Sequence, residues 1–132
     1  MPDHLHALWN MPRGDSRYSQ RWGWIKKEFS KAWRALGNVV DHSNMAAVDE
    51  RRLAVWQRRF WEHTIRDEDD FDQHFHYVHY NPVKHGYVAC PGDWLFSTFQ
   101  RWVARGVYPM DWGCVKKSYI PDFQAIKDTV GE

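Results

Sequence analysis

Early in the chain the bulky apolar residues Tyr18, Trp22, Ile25, Phe29, Trp33 and Leu36 recur every third or fourth position. That spacing lines one face of an α-helix and predicts a helix from about Tyr18 to Leu36. Ser16 or Ser19 can cap its start, and Gly37 with Asn38 can end it. Residues 39–53 have no sustained pattern and read as a linker with helical turns. Over 60–65 bulky and polar residues alternate, which predicts a strand, and 4–9 reads as another short strand entering the turn at 10–14. Asp67 is placed to cap a second helix, and the acids behind it suit the positive end of a helix dipole. At about 100° per residue, Phe71, Phe75 and Val78 form its core stripe. His74, Tyr77 and Asn81 lie on the flank of that stripe, and Tyr80 falls roughly opposite it. Pro82 disfavours ideal helix at Asn81, and Gly86 is the expected stop. Beyond it the chain is loop-rich, with a short helix expected within 95–103.

Composition narrows the picture. A chain of 132 residues is long enough for one domain, and 43% hydrophobic with 27% charged residues fits a globular one. Net charge is only +1, yet twelve Lys/Arg against six Asp/Glu lie between Arg13 and Arg66, followed by five acids in Asp67–Asp72. Such segregation permits a basic surface on a nearly neutral protein. Arg17, Arg21, Lys27, Lys31 and Arg34 lie opposite the apolar stripe of the first helix, with Trp24 among them. A face of that kind is either simply solvated or a surface where cations hold phosphates and a ring stacks on a base. The nine Trp, six Tyr and seven Phe are for the most part a core built from rings. Cys90 and Cys114 are too few for a disulfide framework, so a reducing cytoplasm is the expected setting. No apolar run approaches the roughly 20 residues that span a membrane.

Candidate chemistry lies in His4-Leu-His6 and in the second helix. Two imidazoles at i and i+2 share one face of a strand, and with an amide oxygen they can hold Mg²⁺ or Mn²⁺ to polarise a phosphodiester. A tyrosine hydroxyl can then attack phosphorus and store the bond as a phosphotyrosine. Of the two tyrosines in His76-Tyr-Val-His-Tyr80, helical geometry favours Tyr77, with Asn81 one turn below it. The structural reading of the same residues is a chance His pair and packed rings. A third reading, zinc held by His4, His6 and His74 or His76, lacks acidic or cysteine ligands at zinc spacing.

Five motifs occur in order: Pro2-Asp-His-Leu-His-Ala-Leu-Trp9, Trp56-Gln-Arg-Arg-Phe-Trp-Glu-His63, Tyr77-Val-His-Tyr-Asn-Pro-Val-Lys-His-Gly86, Asp93-Trp-Leu-Phe-Ser-Thr-Phe99 and Arg105-Gly-Val-Tyr-Pro-Met-Asp-Trp-Gly113. In these the chain resembles the REP-associated tyrosine transposases, a branch of the single-strand transposases in the HUH (His-hydrophobic-His) endonuclease superfamily. The resemblance covers residues 1–113 as a partial transposase domain and leaves 114–132 as a weakly ordered tail. It implies an α+β fold, with helices on one face of a small antiparallel, ferredoxin-like sheet. By resemblance His4, His6 and Asn81 are metal ligands for Mg²⁺ or Mn²⁺, and Tyr77 is the nucleophile. The implied substrate is single-stranded DNA near palindromic hairpins, cleaved to a 5′-phosphotyrosine and a 3′-hydroxyl by a protein acting as a monomer. Arg58 and Arg59 join the basic face of the first helix as expected DNA contacts. Family members usually carry further strands and a helix ahead of this motif. The expectation is therefore a truncated copy whose histidine strand lacks neighbours, with a catalytically inactive DNA-binding remnant as the alternative function.

Overall fold

The structure is a computed structural model that describes residues 1–37, 55–56, 60–115 and 121–130. The chain divides into two compact units, Asn10–Phe60 and a second made of Met1–Trp9 with Trp61–Glu132.

In the first unit, helix α1 spans Tyr18–Ala35. Neither predicted serine caps it; Asp15 instead accepts the backbone N–H of Arg17 at 2.9 Å. Gly37 follows its end with φ 78°. The apolar stripe packs in part: Tyr18 and Trp22 lie against Phe60, with centroids 6.2 and 6.3 Å apart, and Phe29 meets Trp56 at 5.1 Å. Leu36 remains 79% exposed. The predicted linker at 39–53 and both Arg58 and Arg59 lie outside the described residues.

The second unit is built on helix α2, Glu68–Lys84. Asp67 caps it as predicted, accepting the Asp70 N–H at 2.9 Å, with Glu68, Asp69 and Asp70 in the first turn. The helix runs through Pro82 rather than breaking before it. Proline costs the Val78 carbonyl its usual donor, but Asn81, Pro82 and Val83 are all buried, and that packing holds the last turn helical. Closure comes from His85 N–H to the Asn81 carbonyl, Gly86 N–H to Val83 and Tyr87 N–H to Pro82, at 2.9–3.0 Å. Gly86 takes φ 73°, the left-handed conformation that ends helices.

Around α2 the core is aromatic. Phe75, Phe99 and Tyr108 are buried together, flanked by Trp102, Val103 and Trp112. Phe99 comes from the short helix α3, Phe99–Ala104, inside the segment expected to be helical. His79 is buried among these rings because both its nitrogens are satisfied. Nδ1–H donates to the Phe75 carbonyl at 2.8 Å, and Thr98 Oγ1 donates to Nε2 at 2.9 Å. Gly113 has φ 68° and lies so close to Tyr80 and Pro91 that an added Cβ would stand 3.1 and 3.2 Å from their rings. A short 3-10 turn, Pro91–Asp93, and a 3-10 segment, Gln124–Thr129, complete the unit.

Four expectations are corrected. The antiparallel sheet of the α+β reading is not observed: among the described residues there is no strand. A strand exists by virtue of a backbone ladder, whereas in 4–9 and 60–65 His4, His6 and His63 are tied to α2 through their side chains. Tyr80, placed opposite the core stripe, is only 8% exposed, because Trp112 and Phe123 cover that side of α2. Phe71, expected in the core stripe, is 42% exposed. The two cysteines, expected to be reduced, form a disulfide between Cys90 and Cys114. No helix among the described residues is long and apolar enough to cross a membrane.

Candidate functional site

Helix α2 brings Tyr77 and Asn81 to the segment that carries His4 and His6. The His6 ring meets Tyr77 edge-on with centroids 5.4 Å apart, and His4 meets His6 at 5.2 Å. His4 Nε2 stands 3.3 Å from Asn81 Oδ1. Asn81 is fully buried and Tyr77 is 2% exposed. Burial does not separate the two tyrosines of the helix; the contact with His6 belongs to Tyr77.

A cation fits the arrangement of these atoms. His4 Nδ1 lies 2.7 Å from Asp3 Oδ1 and donates its proton there, which also holds the Asp3 carboxyl below its ordinary range. In neutral His4 the lone pair is then on Nε2, facing the lone pairs of the Asn81 amide oxygen. Atoms of this kind at this distance could both ligate one cation, and they could equally share a direct hydrogen bond. A carboxylate on the far nitrogen of a ligating imidazole is also the usual way to fix its tautomer and orientation. Asp3 immediately precedes His4, so adjacency was the available signal for this role.

Beside His6 lies a cleft of about 360 Å³ lined by Leu5, Val78, Pro82, Trp94, Phe96 and Ser97. Above Tyr77, the ring of Phe123 packs edge-on at 5.2 Å. Lys84, two turns along α2, donates from Nζ to the Tyr77 hydroxyl at 2.8 Å. Neither Phe123 nor Lys84 was singled out in the sequence. Lys84 was legible as the i+7 neighbour of Tyr77, whereas no local pattern links Phe123 to α2.

A second His/Asp group lies near the start of α2, where ligand atoms of His63, Asp70 and His74 fall within 4.8 Å of one another, close enough to hold a metal ion. The two imidazoles stack nearly parallel, 9° apart with centroids at 4.5 Å, so one ion cannot lie in both ring planes. The contacts observed are those of a hydrogen-bonded clasp. Asp70 accepts His63 Nε2–H at 2.8 Å and the Arg66 N–H at 2.9 Å, while His74 Nδ1–H donates to the Asp70 carbonyl at 2.8 Å. The His63 hydrogen bond, then those from Arg66, hold the Asp70 carboxyl well below the usual carboxylate range.

The basic face of α1 belongs to the other unit. Lys27, Arg34 and Trp24 are exposed, Trp24 by 65%. Asp15 engages Arg17 at 3.2 Å and Arg21 at 2.6 Å, and Glu28 engages Lys31 at 2.9 Å. Three of the five cations predicted on this face therefore already have acidic partners.

No family model matches the chain. It is 46% identical over 112 residues to the REP-associated tyrosine transposase of Escherichia coli, a match covering 85% of this chain and 58% of that protein. To a candidate REP-associated tyrosine transposase of Haemophilus influenzae it is 43% identical over 113 residues, 86% of this chain and 62% of the relative. A solved REP-associated tyrosine transposase bound to a REP hairpin aligns with a TM-score of 0.60 and 43% identity, covering 87% of this chain and 57% of the other. The chain thus spans about three-fifths of the length of the curated relatives it matches. Over that span, at 43–46% identity, the chain is similar to the REP-associated tyrosine transposases.

Proposed function

We propose that this protein cleaves and rejoins single-stranded DNA beside palindromic hairpins through a covalent phosphotyrosine. The observation that carries the reading is the convergence of His4, His6, Tyr77 and Asn81, distant in sequence, on one face of α2. The hairpin partner is brought to this chain from the related structure, which is bound to a REP hairpin. His4, His6 and Asn81 would hold Mg²⁺ or Mn²⁺, which when bound polarises the phosphodiester.

Tyr77 Oη forms a bond to phosphorus as the P–O3′ bond breaks. The phenolic proton passes to solvent, and the leaving oxygen takes one up to become a 3′-hydroxyl. The phosphoester is conserved in the covalent intermediate, so the reverse attack rejoins DNA with no other energy source. The cleft beside His6 has room for an unpaired base against Trp94 and Phe96. Lys27, Arg34 and Trp24 offer phosphate and stacking contacts on α1, and Arg17, Arg21 and Lys31 can exchange their acidic partners for phosphates. Arg58 and Arg59 belong to the same basic segment, and the protein acts as a monomer in the cytoplasm.

Tyr77 is 2% exposed beneath Phe123, and that favours a second reading, hairpin binding without cleavage. One assay separates the two. The protein is incubated with a labelled single-stranded hairpin oligonucleotide and Mn²⁺ and resolved on a denaturing gel. A covalent band lost in Tyr77→Phe supports the enzyme; binding with no band supports the remnant.

A further inference from the structure

We infer that Lys84 is a further catalytic residue of this chemistry, resting on the functional reading above: its ammonium holds the attacking oxygen of Tyr77 and faces the phosphate that oxygen attacks. Seven residues is two turns of α-helix, so Lys84 and Tyr77 lie on the same face of α2. Helical side chains lean toward the N-terminus, which aims Lys84 at Tyr77 rather than away from it. Nζ donates to the tyrosine hydroxyl at 2.8 Å and stands 4.9 Å from the ring centroid. A lysine in the last turn of a helix ordinarily serves the terminal carbonyls and the dipole. Here the side chain spans two turns and ends on the phenol of Tyr77, whose ring meets His6.

The two residues differ in exposure, and that difference assigns the role. Tyr77 is buried, whereas Lys84 is exposed, so the contact from Oη to Nζ runs from the buried phenol toward the solvent side of α2. A phosphodiester approaching Tyr77 Oη from that side comes against the ammonium. Two effects follow. The donated hydrogen bond restricts the hydroxyl to one position, and the positive charge opposes the build-up of negative charge on the phosphoryl oxygens as the O–P bond forms. The lysine is not consumed: the bond made is Tyr77 Oη–P, the bond broken is P–O3′, and proton exchange is with solvent. In the covalent intermediate the same ammonium lies beside the phosphotyrosine and can hold it for rejoining.

The test compares wild type, Lys84→Met and Lys84→Arg as full-length chains with a labelled single-stranded hairpin oligonucleotide and Mn²⁺. Single-turnover adduct formation and hairpin affinity are measured separately. Each protein is also labelled with 3-fluorotyrosine, and the Tyr77 ¹⁹F resonance is assigned through Tyr77→Phe. Lys84→Met should slow adduct formation by about 10²-fold while hairpin affinity changes by no more than about twofold, and Lys84→Arg should recover about tenfold of the loss. The Tyr77 resonance should move in Lys84→Met, which reports the contact whether or not cleavage occurs. Adduct formation by Lys84→Met at the wild-type rate overturns the role of Lys84 and leaves the functional reading intact. An unmoved Tyr77 resonance overturns the contact itself. No adduct from the wild type sinks the functional reading, and the role of Lys84 with it.

Discussion

His4 Nε2 and Asn81 Oδ1 stand 3.3 Å apart although 77 positions separate them in the chain. The pair joins the His-x-His segment to the helix that carries Tyr77, with the two atoms close enough for both to ligate one divalent ion in the proposed site. Removing either side should be felt first in metal affinity. Asn81→Ala should weaken Mn²⁺ binding, read by electron paramagnetic resonance titration, by more than about tenfold. Asp3→Ala, which frees the far nitrogen of His4, should weaken it by about 10–100-fold. Unchanged Mn²⁺ titrations in both variants would remove His4 and Asn81 from the metal site.

Phe123 lies edge-on to Tyr77 at 5.2 Å, and Ile126, whose N–H donates to the Phe123 carbonyl, is 4% exposed. If this ring shields the proposed nucleophile Tyr77, Phe123→Ala should speed covalent adduct formation with hairpin DNA several-fold. A slower reaction in a folded Phe123→Ala protein would make the ring a support for Tyr77 rather than a cover.

The clasp of Asp70 with His63 and Arg66 predicts the acid behaviour of the second unit. The folded-state pKa of Asp70 is depressed, chiefly by His63, so its stabilising contribution is complete above the ordinary carboxylate value of about 3.9. It is lost as pH falls through that value toward the folded pKa. Asp70→Asn should lower the melting temperature at pH 6–7 and flatten its fall below about pH 4. A melting curve with wild-type pH dependence in this variant would show that the clasp carries no stability.

Phe99 has no exposed surface and contacts Tyr108 with centroids 5.0 Å apart, at the centre of the ring cluster. Phe99→Ala should cost about 3–5 kcal/mol in urea unfolding, the lost transfer energy plus a cavity that rings close poorly. A loss below about 1 kcal/mol would mean the cluster collapses around the gap.

Much of this was legible in the sequence where one element decides its own form. The apolar spacing from Tyr18 onward gave α1, and Asp67 with its acids gave the start of α2. The same helical wheel placed Tyr77 and Asn81 side by side, as they are found. What depended on distant partners was less legible. Residues 4–9 and 60–65 alternate like strands, but alternation fixes which way side chains point and cannot supply a ladder. Phe123 reaches Tyr77 from a segment with no periodic pattern. Cys90 and Cys114 are brought together by the loops after α2, which two isolated cysteines cannot announce. The partnering of Arg17 and Arg21 by Asp15 was hidden because a wheel shows the face of a helix and not the loop ahead of it.

The central claim is that Tyr77 becomes joined to DNA, and the most direct measurement is of that bond. The protein is reacted with a single-stranded hairpin oligonucleotide in Mn²⁺, digested with nuclease and protease, and its peptides are sequenced by mass spectrometry. The account predicts a nucleotide linked through its 5′-phosphate to Tyr77, absent when His4 and His6 are replaced by alanine. A nucleotide on Tyr80 or another residue, or no modified peptide from a protein that binds the hairpin, would contradict it.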